Sequence, residues 1–273
     1  AMFPKAGGVY EFSKHVYNKF FSFLIGWVAW LVGNLTTALL IVAAIDYLIP
    51  DPTQFWLKIG ISISFILILN IIAYFGIGAS AFVLVLFAFV ALSIILSVII
   101  PGAFHINPDN YRPFFIFPFS AVFLAMFFIS ENFFGWESAT YLAEETKNPE
   151  KVIPRSLVWG TVIVGILSLG IVFVSLGIIP WSELIKKAAP LSSVFESIYG
   201  IFGMKILNSG VFLSLIGSAA GGIVTMPRLI LALARDKLFI AQLSDIHKKY
   251  NTPYKAIIFQ TIISLIVFGM AFG

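Results

Sequence analysis

The sequence has 273 residues, of which 60% are hydrophobic and only 11% are charged, and its mean hydropathy is +1.00. Soluble domains carry about 25% charged residues, so this composition excludes a soluble domain and indicates an all-α protein that crosses a lipid bilayer several times. The formal net charge of +4 comes from basic residues in short loops between apolar runs, so we expect no nucleic acid partner.

Seven apolar segments are predicted to form a single transmembrane domain over residues 1–273, because a helix needs about 20 residues to cross a bilayer. Residues 181–205 are too polar to cross and are expected to form one or two short helices at the surface. The sequence ends inside an apolar run, so we expect it to be part of a longer chain. The predicted spans are 20–48, 57–75, 80–101, 114–147, 155–179, 206–235 and 254–273.

The segment 114–154 places polar residues where the hydrocarbon should be deepest. An apolar run leads into Ser130, Glu131, Asn132, Gly135 and Glu137. A carboxylate at that depth costs about 2.5–3.5 kcal/mol on insertion scales, so two of them within seven residues are expected to face a wet cavity.

Residues 130–135 are predicted to interrupt this helix, because glycine tolerates conformations that other residues resist. The two half-helices would then point opposite dipole ends at the cavity. The start of the second half favours a carboxylate, and the end of the first, with Glu131, favours an amine, so a zwitterion suits the site. In the alternative reading, Gly135 serves helix packing, and Glu131 and Glu137 are paired or protonated structural groups.

Basic residues are unevenly distributed between the two faces. If the N-terminal loop is cytoplasmic, that side holds twelve of the 17 lysines and arginines, and the positive-inside rule then supports this orientation. The opposite side holds the other five, which are Lys58, Arg112, Lys186, Lys187 and Lys205.

A second charged group is predicted at the cytoplasmic face, where Arg235 and Asp236 should lie near Glu144, Glu145 and Lys147. Solvated loop charges are the favoured interpretation, and a gate salt bridge is the alternative. The three histidines lie far apart in loops, and the sequence contains no cysteine, nucleophile motif or phosphate loop. We therefore expect no metal site, no cofactor and no enzymatic activity.

Several motifs together resemble the amino acid–polyamine–organocation superfamily of transporters. They are FPKAGGVYEFSKHVYNKFFSFLIGW (3–27), NPDNYRPF (107–114), GWESATYLAEETKNPEKVIPR (135–155), MPRLILALARDKLF (226–239) and HKKYNTP (247–253). The resemblance implies part of a five-plus-five inverted-repeat fold, with the seven spans similar to the family's third to ninth helices. It further implies that the family's first two helices, one of which forms half of the site, lie outside this sequence.

The resemblance also implies which residues bind substrate. The family's unwound segment falls on Ser130 to Gly135, so the contacts are the backbone there and the side chains of Glu131, Asn132, Phe133 and Phe134. Many relatives carry an aromatic gate near position 131, so Glu131 could mark a preference for cationic amino acids, or carry a proton. Glu137 falls where some relatives hold an acid linked to gating.

The coupling ion is left open between Na⁺ and H⁺, and exchange is a further possibility. Proton-coupled relatives often hold a lysine in the fifth helix, but residues 80–101 contain no charge, and Ala91 lies at about that position. Ser218 could then be one oxygen ligand of Na⁺, although such hydroxyls usually bond their own helix.

The resulting functional prediction is a secondary transporter of the cell membrane that moves amino acids by alternating access, with cationic amino acids as one candidate substrate. A polyamine transporter and an amino acid exchanger are the near alternatives. Seven spans also suggest a receptor or a light-driven pump, but a retinal pump needs a mid-membrane lysine in its last helix, and 254–273 holds only Lys255 at its start. A non-transporting membrane subunit that kept the fold is the remaining alternative.

Overall fold

A computed structural model describes residues 5–49, 51, 53–113, 117–130, 135–187 and 190–272. Within these ranges the chain forms helices and no strands, which confirms the prediction of an all-α protein. The described α-helices are α1 (Val9–Ser13), α2 (Lys19–Leu48), α3 (Phe55–Tyr74), α4 (Ile77–Gly102), α5 (Ser120–Ser130), α6 (Pro149–Ile178), α7 (Trp181–Leu184), α8 (Pro190–Arg235) and α9 (Tyr254–Phe272). The 3₁₀ helices are Ala103–His105, Pro108–Tyr111, Trp136–Glu145 and Ala241–Ser244.

Five of these helices, α2, α3, α4, α6 and α8, are long and apolar enough to cross a membrane. The apolar helices α5 and α9 are shorter over their described residues. The number of long apolar helices agrees with a multi-pass membrane protein. The assignment of seven membrane spans, with one domain over 1–273, stays a prediction.

The ends of the helices follow local sequence signals. Helix α2 begins after Asn18, whose side-chain oxygen accepts a hydrogen bond from the Phe21 amide at 3.1 Å, as expected of an N-cap. Helix α6 begins at Pro149, earlier than the predicted start at residue 155. Proline is tolerated in the first turn of a helix, where amides have no partner within the helix, so α6 can begin at Pro149, ahead of the predicted span.

The polar segment 181–205 contains the short helix α7 and the first part of α8. Helix α8 is kinked at Gly200, which has φ 70° and ψ −169°. The residues from Pro190 to the kink therefore form a separate helical segment ahead of the apolar part of α8. Whether this segment and α7 lie at a membrane surface stays a prediction.

The structure divides into two compact units, and the first comprises residues 1–88, 135–157 and 212–273. In this unit α2 packs against α1, α3 and α9, and α3 packs against α9. A fully buried apolar core joins these helices to the second half of α8. Its members include Ile41, Ile66, Ile216, Ile223 and Phe268.

Polar side chains also connect helices inside the first unit. The Ser264 hydroxyl donates to the Asn34 side-chain oxygen at 3.2 Å, which joins α9 to α2. The Gln260 amide donates to the Ile223 carbonyl at 3.1 Å, which joins α9 to α8. Hydrogen bonds of this kind hold membrane helices together where the hydrophobic effect between them is weak.

The second unit comprises residues 89–134 and 158–211. Its core brings together Val98, Val174, Phe195 and Leu207. In the most apolar windows of α4 and α6, only 6% and 11% of the residues are buried. Helices with so much exposed apolar surface fit a lipid environment far better than water.

Candidate functional site

The predicted unwound segment begins at the last described residue of α5. This residue is Ser130, whose hydroxyl donates to the Phe127 carbonyl at 2.6 Å, inside the same helix. The predicted site residues Glu131, Asn132, Phe133 and Phe134 lie outside the described residues.

Gly135 has a left-handed backbone conformation, with φ 94° and ψ −10°. A right-handed α-helix cannot continue through such a residue, and the chain resumes as the 3₁₀ helix Trp136–Glu145. A Cβ added to Gly135 would meet no atom within 4 Å, so the backbone conformation, and not crowding, favours glycine here.

The carboxylate of Glu137 lies beside Gly135. Its Oε2 accepts a hydrogen bond from the Gly135 amide at 3.0 Å, and the glutamate is half-buried. Amide groups at the start of a helix carry partial positive charge and attract anions. The Gly135 amide at the start of this 3₁₀ helix is thus bound by the protein's own Glu137 carboxylate.

The same 3₁₀ helix ends in two glutamates, and Glu145 binds a buried arginine of α8. The Nε of Arg228 donates to Glu145 Oε1 at 2.7 Å, and its second terminal nitrogen donates to Oε2 at 3.2 Å. The Arg228 side chain is 1% exposed, against 22% for Glu145. A charge buried to this extent requires such a partner, since an unpaired one would cost several kcal/mol.

Glu144 binds a second arginine of the same helix. Arg235 donates to Glu144 Oε2 at 2.7 Å, and the Ala6 amide donates to the other oxygen at 3.1 Å. Both side chains of this ion pair are partly exposed, at 41% and 37%. The structure thus brings Arg235 and Glu144 together, and their partly exposed pair agrees with solvated charge. A role of this pair as a gate stays a prediction.

Asp236 forms a further charged group with the N-terminal segment. It accepts from the Tyr10 hydroxyl at 2.6 Å and from Lys14 at 2.7 Å. Burial opposes ionisation of this carboxyl, but the hydrogen bonds from Lys14 and Tyr10 outweigh it and lower the pKa of Asp236. Burial likewise opposes the Lys14 charge, and the bonds to Asp236 and Glu11 nevertheless raise the pKa of Lys14.

A cavity of about 530 Å³ opens beside the two arginine–glutamate pairs, entirely within the first unit. Its volume lies in the range that is usual for small-molecule sites. Besides apolar and backbone groups, its lining includes Tyr141, Glu144, Glu145, Arg228, Arg235 and Lys249.

The predicted ion ligand Ser218 lies in the apolar part of α8. Its hydroxyl donates to the Ser214 carbonyl of the same helix at 3.1 Å. The hydroxyl proton is therefore used within the helix, while the oxygen lone pairs remain for another ligand. A role in ion binding stays a prediction.

Sequence reasoning missed Arg228 and Tyr141. Arg228 was part of a quoted motif but received no role, although one arginine amid the apolar residues 226–234 is itself a signal, since it needs an acidic partner. No local signal identifies Tyr141, because its burial at 1% exposure depends on neighbours that are distant in sequence. Among the described residues no cluster of three potential metal ligands occurs.

Comparison with known proteins places the chain in a family. A family model described as amino acid permease matches residues 1–273. The chain is 29% identical to a serine/threonine exchanger of Bacillus subtilis, over 97% of this chain and 62% of that protein. It is 25% identical to a branched-chain amino acid permease of the same organism, over 93% of this chain and 58% of the relative.

A plant relative also matches. The chain is 28% identical to a vacuolar cationic amino acid transporter of Arabidopsis thaliana, over 71% of this chain and 33% of that protein. The chain thus spans less than two thirds of the length of each of these three relatives. The match over the whole sequence and the helical, apolar architecture together confirm the resemblance drawn from the motifs. The chain therefore belongs to the amino acid permease family of the amino acid–polyamine–organocation superfamily, and it forms part of that superfamily's transporter fold.

Proposed function

We propose that the protein is a secondary transporter that moves amino acids across the cell membrane by alternating access. Family membership supports this proposal, as do relatives whose names describe permeases, transporters and an exchanger of amino acids. We define the basic face as the end of the first unit that carries Ala6, Tyr10, Glu144, Arg235 and Lys249. This face is proposed to be cytoplasmic because basic residues concentrate there.

The observation that carries the proposal is the interruption at Gly135. The described part of an apolar helix reaches Ser130, Gly135 is left-handed, and a carboxylate follows at Glu137. Backbone groups that leave a helix at membrane depth must be satisfied by protein or by a wet cavity, and in transporters such interruptions form substrate sites. The substrate is proposed to contact residues 130–135 and Glu137, with further contacts from parts of the protein beyond this sequence.

Glu131 is proposed to favour cationic amino acids. A carboxylate in the site would pair with a second amine of the substrate, and the similarity to a vacuolar cationic amino acid transporter supports this preference. Replacement Glu131→Gln keeps the size and removes the charge. It is expected to lower uptake of arginine and lysine relative to neutral amino acids, and an unchanged ratio would contradict the proposal.

Exchange is the second candidate mode, and the similarity to a serine/threonine exchanger favours it. An exchanger needs an amino acid on the opposite side of the membrane, whereas an ion-coupled transporter needs a gradient of Na⁺ or H⁺. Ser218 is the proposed Na⁺ ligand, and a proton path through Glu131 or Glu137 is the alternative.

Reconstitution of the full-length protein in vesicles tests these proposals together. Uptake of labelled amino acids is measured with a Na⁺ gradient, with a H⁺ gradient, and with amino acid inside but no gradient. Uptake in any of these conditions supports amino acid transport, and the condition identifies the coupling. Absence of uptake in all of them would contradict the proposal. Uptake of polyamines but not of amino acids would show that the substrate is a polyamine.

A further inference from the structure

The cavity on the basic face contains a buried polar group that no part of the described fold uses. Tyr141 lines the cavity and is 1% exposed, and its hydroxyl has no hydrogen-bond partner among the described residues. Leaving a buried hydroxyl unpaired destabilises the folded state, so phenylalanine would give a more stable protein if packing were the only role of this side chain.

The charged groups around the cavity differ in how firmly they are held. The Arg228–Glu145 pair is buried and bound through two hydrogen bonds, so its two side chains form a rigid part of the cavity lining. The Arg235–Glu144 pair is partly exposed on both sides and joined by one bond between the side chains. An exposed ion pair contributes little to stability, so a ligand can separate the two side chains at little cost.

The opposite charges of the Arg235–Glu144 pair favour a particular class of ligand. A simple cation that bound Glu144 would leave Arg235 unpaired, and a simple anion that bound Arg235 would leave Glu144 unpaired. A zwitterion satisfies both, because its ammonium group can replace the guanidinium and its carboxylate can replace the glutamate. Lys249 also lines the cavity and adds positive charge there, since its Nζ lies 5.2 Å from the Tyr250 ring centroid and forms no described ion pair.

We infer that the cavity is a second amino acid site, on the basic face, in which a zwitterionic amino acid inserts between Glu144 and Arg235 and accepts the Tyr141 hydroxyl hydrogen bond. It is separate from the interrupted segment at Gly135 and would hold substrate as it enters or leaves on this side. The identity of the ligand rests on the proposed function.

The replacement Tyr141→Phe tests the role of the hydroxyl. In the full-length protein, KM for an amino acid applied at the basic face is expected to rise about 10- to 100-fold, the worth of one hydrogen bond to a charged carboxylate. The KM at the opposite face should stay unchanged. Tyr10→Phe is the matched control, because Tyr10 is also fully buried but donates to Asp236 and does not line the cavity. A Tyr141→Phe protein with unaltered KM at both faces and higher thermal stability would overturn the inference.

A binding measurement separates this site from transport. The sequence has no cysteine, so Ile246→Cys places a single thiol in this stretch, at the lining of the cavity and 39% exposed. L-serine, L-leucine or L-arginine at the basic face should slow its reaction with a membrane-impermeant maleimide. Lactate and ethanolamine, which lack the ammonium or the carboxylate, should not. The control is Val16→Cys, which is 74% exposed and outside the cavity.

The outcomes are distinct. The site is supported if an amino acid slows maleimide labelling of Ile246→Cys and this effect is lost when Arg235→Gln is added. This holds even if the protein transports nothing. Transport without protection, or protection by lactate or ethanolamine alone, overturns the site and leaves the proposed transport function standing. Should Tyr141→Phe fail to fold, the comparison of Arg235→Gln with the parent protein decides the question.

Discussion

Arg228 and Glu145 form a two-bond ion pair, at 2.7 Å and 3.2 Å, between α8 and the 3₁₀ helix that follows Gly135. The pair fixes the end of the interrupted segment to an apolar helix. Because the arginine is fully buried, the pair's contribution to stability depends on both partners being present.

Removing one partner of this pair should be far more damaging than removing both. We expect Glu145→Met to lower the free energy of unfolding by about 3–5 kcal/mol, because the fully buried Arg228 guanidinium is left without its partner. The double replacement Arg228→Met and Glu145→Met should recover most of that loss. Thermal unfolding of the purified protein in detergent measures the effect. Arg235→Gln, at the exposed pair, serves as the control and should cost about 0–1 kcal/mol.

Gly135→Ala should destabilise the protein through the backbone alone. A left-handed conformation costs a residue with a Cβ about 1–2 kcal/mol, and no neighbouring atom adds a steric penalty. Gly165→Ala is the matched control, because Gly165 is equally uncrowded but lies inside α6, where alanine is the better helix former. Gly135→Ala should therefore lower the melting temperature and Gly165→Ala should leave it unchanged or raise it. Equal effects of the two changes would argue against a strained backbone at Gly135.

Two roles of Glu137 can be tested separately: its oxygen as a hydrogen-bond acceptor and its negative charge. Glu137→Gln keeps an oxygen for the Gly135 amide, so folding should be preserved, whereas Glu137→Ala loses the bond and should lower stability by about 1 kcal/mol. If the charge takes part in gating, both changes reduce the maximal transport rate more than they change KM. Vesicle uptake gives both parameters, with Glu183→Gln, an exposed glutamate of α7, as the control. If Glu137→Gln transports at the wild-type maximal rate, the Glu137 charge has no role in transport.

Asp236 should make stability fall at acid pH. Its pKa is lowered in the folded protein, so the folded state binds fewer protons than the unfolded state as the carboxyl titrates. Its contribution is therefore fully present above the unfolded pKa of about 3.9 and is lost as the pH falls through the lower folded value. The difference in melting temperature between the parent protein and Asp236→Asn should be largest near neutral pH and should shrink below about pH 4. A difference that stays constant over this range would show that the Lys14 and Tyr10 bonds do not depend on the Asp236 charge.

Much of the helical framework could be predicted from local signals. Long apolar runs predicted α2, α3, α4 and the apolar part of α8 within a few residues of their observed ends, because burial in lipid leaves the backbone no alternative to helix. The polar interruption around residue 135 was also visible, since carboxylates and glycine are out of place in such a run. The start of α6 was less accurate, because a proline can either stop or start a helix, depending on the turn it occupies.

The sequence by itself determined that the chain is a helical membrane protein, where its polar residues interrupt the apolar runs, and which motifs relate it to amino acid permeases. Only the tertiary structure decided which charges meet, because Arg228 and Glu145 are 83 residues apart and no local pattern specifies that α8 lies beside the end of the 3₁₀ helix. The unpaired hydroxyl of Tyr141 likewise became visible only in the folded chain, since hydrogen-bond satisfaction depends on the neighbours that packing supplies.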